Sequence, residues 1–163
     1  MTKVLGILNV TPDSFSDGGN WIDIDSALMR ASQMAAQGAD AIDVGGESTR
    51  PGSRAISIQE ELDRILPPLE KLKSEVALPI SIDTRRVEVA RAAVDLGASI
   101  INDTSALRDD PDLVDLVISK SLDVVLMHRK GTPVDMQESP SYGDVILEIS
   151  EFFRERLDFF RSR

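Results

Sequence analysis

Several residues in this chain have side chains and spacing suited to chemistry on a ring and an anion. Asn9, Asp43, Asp83, Asn102-Asp103 and His128 each stand at or near the carboxyl end of a short apolar run. One such residue alone reads as a helix cap or turn former. Five of them place carboxylates, amides and one imidazole on a single face. Asp83 can accept two parallel N–H bonds from an aminopyrimidine edge, and Asn102 can both donate and accept, a pairing that suits a guanine-like or pterin ring. Asn9 can offer a hard amide oxygen to magnesium, which takes few protein oxygens beside phosphates and waters. Met127 is a soft contact for a flat ring or plain core filling. His128 reads as structural or ligand-adjacent rather than as a general base.

Two loops accompany these ends. Thr11–Gly19 is long and polar, with Phe15 as an apolar contact and Asp17 as a charge. It reads as a lid or as a stack of turns. Gly45–Arg54 carries glycines, hydroxyls and Arg50. It reads as an anion loop or as a turn, Arg50 adding a fork suited to phosphate.

The elements that must position these residues follow from periodicity. Val4–Val10, Ala41–Gly45, Pro79–Asp83, Ser99–Asp103 and Asp123–His128 are short Val/Ile-rich runs, which predicts strands buried on both faces of a parallel sheet. Ser26–Gln37, Ser57–Val76, Thr84–Leu96, a segment opening at Asp110-Pro111, and Gly143–Arg161 carry helical patterns. Ser57 and Glu60 have capping-box spacing. Pro67-Pro68 is expected to kink or split the second helix. Arg85-Arg86 is expected in the first turn of the third, facing solvent. In the last helix the expected stripe is Ile146, Ile149, Phe153, Leu157 and Phe160, leaving Phe152 and Phe159 for a partner subunit or a missing part of the same chain. Five strand–loop–helix repeats make an α/β fold, either a doubly wound sheet or a (β/α)8 barrel. No G-x-G-x-x-G follows the first run, which disfavours dinucleotide binding.

Composition bounds the partners. The chain has 163 residues, 18 Lys+Arg against 28 Asp+Glu, a net charge of −10 and no cysteine. This argues against nucleic-acid binding, and it removes disulfides and thiolate chemistry. No run reaches the roughly 20 apolar residues of a membrane span. The expectation is a soluble cytoplasmic protein with no membrane partner, and a small anionic substrate stays open because a few local arginines can override the global field.

The motifs also carry a resemblance. Asn9–Gly19 and Asp43–Gly52 resemble the two signatures of dihydropteroate synthases. Ser81-Ile82-Asp83-Thr84, Ile101-Asn102-Asp103 and Met127-His128-x-x-Gly131-Thr132-Pro133-x-x-Met136-Gln137 follow in the family's order. The resemblance implies a (β/α)8 TIM barrel, commonly a homodimer. It also implies condensation of 6-hydroxymethyl-7,8-dihydropterin pyrophosphate with 4-aminobenzoate in folate biosynthesis. Carried over by motif, Asn9 holds magnesium and pyrophosphate, Thr49 and Arg50 contact the pyrophosphate, and Asp83, Asn102 and Met127 bind the pterin. Phe15, Asp17 and Pro51 close over aminobenzoate, where sulfonamides compete. Asp17, Thr49 and Arg50 are the implied catalytic residues, and Mg2+ the implied cofactor. This chain, residues 1–163, supplies five of the eight βα units a barrel needs, so these residues alone are expected to be inactive and poorly soluble. Arg129-Lys130 departs from the family's commoner Met-Gln. A non-catalytic partial barrel that binds a pterin, or pairs with a complementary chain, is the alternative.

Overall fold

The computed structural model describes residues 2–11, 24–48, 54–131 and 140–163. Five parallel strands lie side by side in chain order: β1 (Leu5–Asn9), β2 (Ala41–Gly45), β3 (Ile80–Asp83), β4 (Ile100–Asp103) and β5 (Asp123–Leu126). Each leads to a helix: α1 (Ile24–Ala36), α2 (Ile58–Glu75), α3 (Val87–Asp95), α4 (Asp112–Lys120) and α5 (Val145–Arg161). A sequential strand order has no switch point. Right-handed crossovers in that order put every helix on one face, as in a barrel wall. The doubly wound alternative is therefore set aside.

The core lies between the helices and the outer face of the sheet. Leu8, Ile42, Val44, Ile82 and Ile101 meet Ala27 and Ala31 of α1, Ile65, Leu69 and Leu72 of α2, Val89 and Ala93 of α3, and Leu113 of α4, all essentially buried. Alternate residues point to the inner face. There the expectation of burial on both sides holds for β2, buried at all five positions. It fails at the edges. Ile7 of β1 is 64% exposed and Val125 of β5 is 39% exposed, because an edge strand has a neighbour on one side only.

Helix ends follow the sequence closely, with instructive differences. Ser57 Oγ accepts from Glu60 N at 3.1 Å, the expected cap. Pro67 and Pro68 do not split α2, which runs unbroken through both. Burial of Ile65, Leu69 and Leu72, about 1.5–3 kcal/mol each, outweighs the missing donors. α3 starts at Val87 rather than Thr84, and its first amide donates to Asp110 Oδ2 at 2.8 Å. Asp110 Oδ1 also accepts from Asp112 N at 3.1 Å, so one carboxylate caps two helices.

The last helix turns a different face inward from the one expected. Phe152 and Arg156 are buried while Ile146 and Leu157 are exposed. Phe152, Arg156 and Phe159 form their own i, i+4, i+7 row. A count of apolar residues misses it because its middle member is an arginine, whose guanidinium lies 4.6 Å from the Phe159 ring and donates to Leu107 O at 3.2 Å.

Candidate functional site

The parallel register sets the row at the carboxyl edge of the sheet. Asn9 pairs with Gly45, Gly45 with Asp83, and Asp83 with Asn102. Asn9, Asp83 and Asn102 are thus brought together, with a glycine where a fourth side chain would stand. A Cβ on Gly45 would lie 3.5 Å from Asp83 Oδ2 and 3.6 Å from Asn9 Oδ1. The missing side chain leaves room for these two oxygens to flank one small space.

Asp43 does not join that row. It pairs with Ser81 and Ile7, one layer deeper on the same inner face. It is buried, and it accepts from Ser81 Oγ at 2.5 Å and from Asn102 Nδ2 at 2.9 Å. Asp103 also leaves the row. It accepts from Ser105 N at 2.7 Å, Ser105 Oγ at 2.9 Å and Leu107 N at 2.7 Å, and so shapes the loop after β4. Burial pushes its pKa up, while the Ser105 and Leu107 hydrogen bonds oppose the rise.

Asp83 carries the strongest electrostatic signature of the row. Its pKa is raised to about 7, first by burial and then by the charges of Asp43, Glu61, Asp103 and Glu47. A carboxylate held this unfavourably in the free protein gains most when two N–H donors arrive. Asn102 spends a donor on Asp43, which leaves its carbonyl oxygen to accept. The pair therefore presents acceptors on both members, complementary to an edge rich in N–H groups.

Met127 continues the β4–β5 ladder, donating from its N to Asp103 O at 3.4 Å. His128 next to it packs in T-shaped contact with Phe152, centroids 4.7 Å apart, and lies 5.9 Å from Tyr142. Lys130 Nζ sits 3.9 Å from the Tyr142 ring centroid and pairs with Glu148. Phe15, Asp17, Thr49, Arg50 and Pro51 lie outside the described residues.

The base of the second loop is held by groups that sequence reading misplaced. Arg86 does not face solvent. It pairs with Glu61 and Glu47 and donates to Ile56 O at 2.7 Å. Glu61 is buried and also accepts from Thr84 Oγ1 at 2.8 Å. Its pKa is raised, burial outweighing Thr84 and Arg86. Glu47 accepts from Ile56 N at 3.2 Å. Arg85 reaches Glu47 on one side and Asp109 on the other. The partners of Thr84, Arg85 and Arg86 stand 23 to 39 positions away in sequence, so local periodicity gives no signal for them. Gly46 is required for contact: a Cβ there would lie 2.8 Å from Ile65 Cγ2 and 3.2 Å from Glu61 O.

Comparison with known proteins extends this geometry. The family model for pterin binding enzymes matches residues 5–162. A dihydropteroate synthase of Synechocystis sp. is 44% identical over 160 residues, 98% of this chain and 55% of that protein. A Yersinia pestis dihydropteroate synthase solved with a sulfonamide drug superposes with a TM-score of 0.88 at 43% identity, over 98% of this chain and 58% of that one. A Xanthomonas albilineans dihydropteroate synthase solved with 4-aminobenzoic acid gives 0.87 at 46% identity, over 98% and 56%. The chain thus spans about half the length of the relatives it matches.

Proposed function

The chain belongs to the pterin binding enzyme family, and on that premise we propose that it contributes the pterin and pyrophosphate side of a dihydropteroate synthase site. The reaction joins 6-hydroxymethyl-7,8-dihydropterin pyrophosphate to 4-aminobenzoate. The bond from the pterin methylene to the pyrophosphate oxygen breaks, the arylamine nitrogen attacks the methylene carbon and loses a proton, and 7,8-dihydropteroate and pyrophosphate result. The observation that carries this reading is the Asn9–Gly45–Asp83–Asn102 row, two acceptor side chains beside a gap.

In this reading Asp83 accepts the aminopyrimidine N–H groups, Asn102 accepts beside it, and Met127 packs on the ring. Asn9 gives a hard oxygen beside the gap, a donor that fits magnesium with phosphate oxygens completing its shell. Bound there, the ion supplies positive charge against the departing pyrophosphate. Thr49 and Arg50 hold the same anion, and Phe15, Asp17 and Pro51 shield from water the pterin-methylene cation left when pyrophosphate departs and receive aminobenzoate, where sulfonamides compete. A cytoplasmic homodimer completes the reading. Among the described residues no helix is long and apolar enough to cross a membrane.

The test is titration of the protein with 6-hydroxymethylpterin, together with condensation of the pterin pyrophosphate with labelled 4-aminobenzoate by the whole enzyme. Asp83→Ala and Asn102→Ala are expected to abolish pterin binding with an unchanged circular dichroism spectrum. Unchanged affinity in both variants overturns the ring-edge assignment, and absence of condensation by the whole enzyme overturns the synthase reading.

A further inference from the structure

The carboxyl-edge residues proposed to touch the ring share a feature that their own roles do not explain. Each is followed, within seven positions or fewer, by a charged side chain tied to a neighbouring loop. Arg85 follows Asp83, Asp109 follows Asn102, and Arg129 follows Met127. Arg85 Nη1 donates to Asp109 Oδ2 at 3.1 Å, and Arg129 Nη2 reaches Asp109 Oδ1 at 3.2 Å and Oδ2 at 3.3 Å. On its other side Arg85 Nε reaches Glu47 Oε2 at 3.4 Å. One chain of ion pairs therefore crosses the loops after β2, β3, β4 and β5.

Two observations separate this chain from ordinary surface pairing. First, its ends are shielded: the side chains of Glu47 and Arg129 are 14% and 13% exposed. Arg129 Nη1 is buried without a hydrogen-bond partner among the described residues, so Asp109 is the main compensation for that guanidinium. The middle is more open, with the side chains of Arg85 and Asp109 32% and 31% exposed, so the cost of breaking the chain falls on the Arg129 guanidinium left without its partner. Second, the segment that presents Asp109 is strained. Ala106 and Leu107 have φ of +55° and +59°, rare for residues with a Cβ. They are held there by Asp103 accepting from Leu107 N and by Arg156 donating to Leu107 O. A strained backbone that is pinned from two directions persists where the placement of a side chain matters.

We propose that Asp109 is a positioning residue. With Arg85 and Arg129 it forms an ionic clasp that fixes the loops after β2, β3 and β5 relative to one another, and so sets the spacing of Asp83, Asn102 and Met127 around the pterin. This gives Arg129, a departure from the family's commoner residue, a specific partner. The ligand half of the proposal rests on the pterin reading above; the clasp itself does not.

The test therefore uses two readouts on the protein and on its Asp109→Asn and Arg129→Gln variants. In hydrogen exchange, Asp109→Asn is expected to speed amide exchange at Gly46–Ser48 and at Arg129–Gly131, loops on either side of its own. Acceleration confined to residues near 109, or none, overturns the clasp whatever the ligand does. In titration with 6-hydroxymethylpterin, each variant is expected to weaken binding about fivefold, and the double variant no more than either single one. Unchanged affinity, or losses that multiply, overturns the positioning role. If the parent protein fails to bind the pterin, the functional reading falls and exchange alone decides the clasp. Arg129→Gln serves as the second variant should Asp109→Asn fail to fold.

Discussion

The side-chain amide of Asn102 donates to the buried carboxylate of Asp43 at 2.9 Å across the intervening strand β3. The bond fixes which way the amide faces: nitrogen toward Asp43, oxygen free to accept. Ser81 donates to the other oxygen of the same carboxylate. Asp43 therefore orients an acceptor of the row above without belonging to that row.

Asp43→Ala removes the shared carboxylate and leaves the buried Ser81 hydroxyl and the half-buried Asn102 amide without that partner. At about 1–3 kcal/mol for the buried hydroxyl and less for the half-buried amide, which water can reach, the expected loss of stability is about 1–4 kcal/mol, read by urea denaturation. Pterin affinity is expected to fall as well, because Asn102 is then free to turn. A variant as stable as the parent would show that other groups take up the two donors.

Asp83 makes stability and binding run in opposite directions with pH. Its folded pKa of about 7 lies above the ordinary 3.8, chiefly through burial and then through the charge of Asp43. The fold thus favours the protonated acid. Below about pH 4 both states carry the proton and nothing is lost; stability then declines as pH rises to about 7 and levels off above it. Asp83→Asn is accordingly expected to raise the thermal midpoint at about pH 8 and leave it unchanged at about pH 4. Binding needs the carboxylate, so pterin affinity should improve about tenfold from about pH 6 to about pH 8. Asp43→Asn, which removes a charge that raises the Asp83 pKa, should move that midpoint to lower pH. A pH-independent affinity would remove Asp83 from the ring edge.

Much of this was legible in the sequence, for physical reasons. Continuous Val/Ile runs ending in Asn9, Asp83 and Asn102 are visible without a structure because a buried parallel strand has few other sequences. The layer of Asp43 was not, since a shift of two residues along a strand is decided by register with β3. Arg85 and Arg86 look solvated in the sequence because their partners, Glu47, Glu61 and Asp109, come from other loops and from α2. The inward face of α5 escapes an apolar pattern because an arginine fills its centre.

Gly46 tests whether the second loop depends on its seat. A Cβ there meets Ile65 Cγ2 at 2.8 Å and the Glu61 carbonyl at 3.2 Å. The backbone oxygen cannot rotate away, so loop and helix must separate. Gly46→Ala is expected to cost about 1–3 kcal/mol by overpacking and to loosen the Arg86–Glu61 and Arg86–Glu47 pairs. Thermal denaturation checks the first expectation. For the second, hydrogen exchange at Glu47 and Ile56 should rise. A variant of parental stability would mean that α2 shifts at little cost.

The sheet edges predict how these 163 residues behave when expressed by themselves. Among the described residues β1 and β5 each have one hydrogen-bonded neighbour, which leaves a row of backbone donors and acceptors on each outer side. Beside those rows stand Ile7 and Val125, 64% and 39% exposed on the inner face. Unpaired edges next to apolar side chains template pairing with other chains. The residues 1–163 alone are therefore expected to associate, and light scattering should rise with concentration. Ile7→Lys and Val125→Lys place charges beside both edges and should suppress association while leaving the outer core, built from Leu8, Ile42, Ile82 and Ile101, in place. A monodisperse monomer without these substitutions would show that the two edges are protected by some other means.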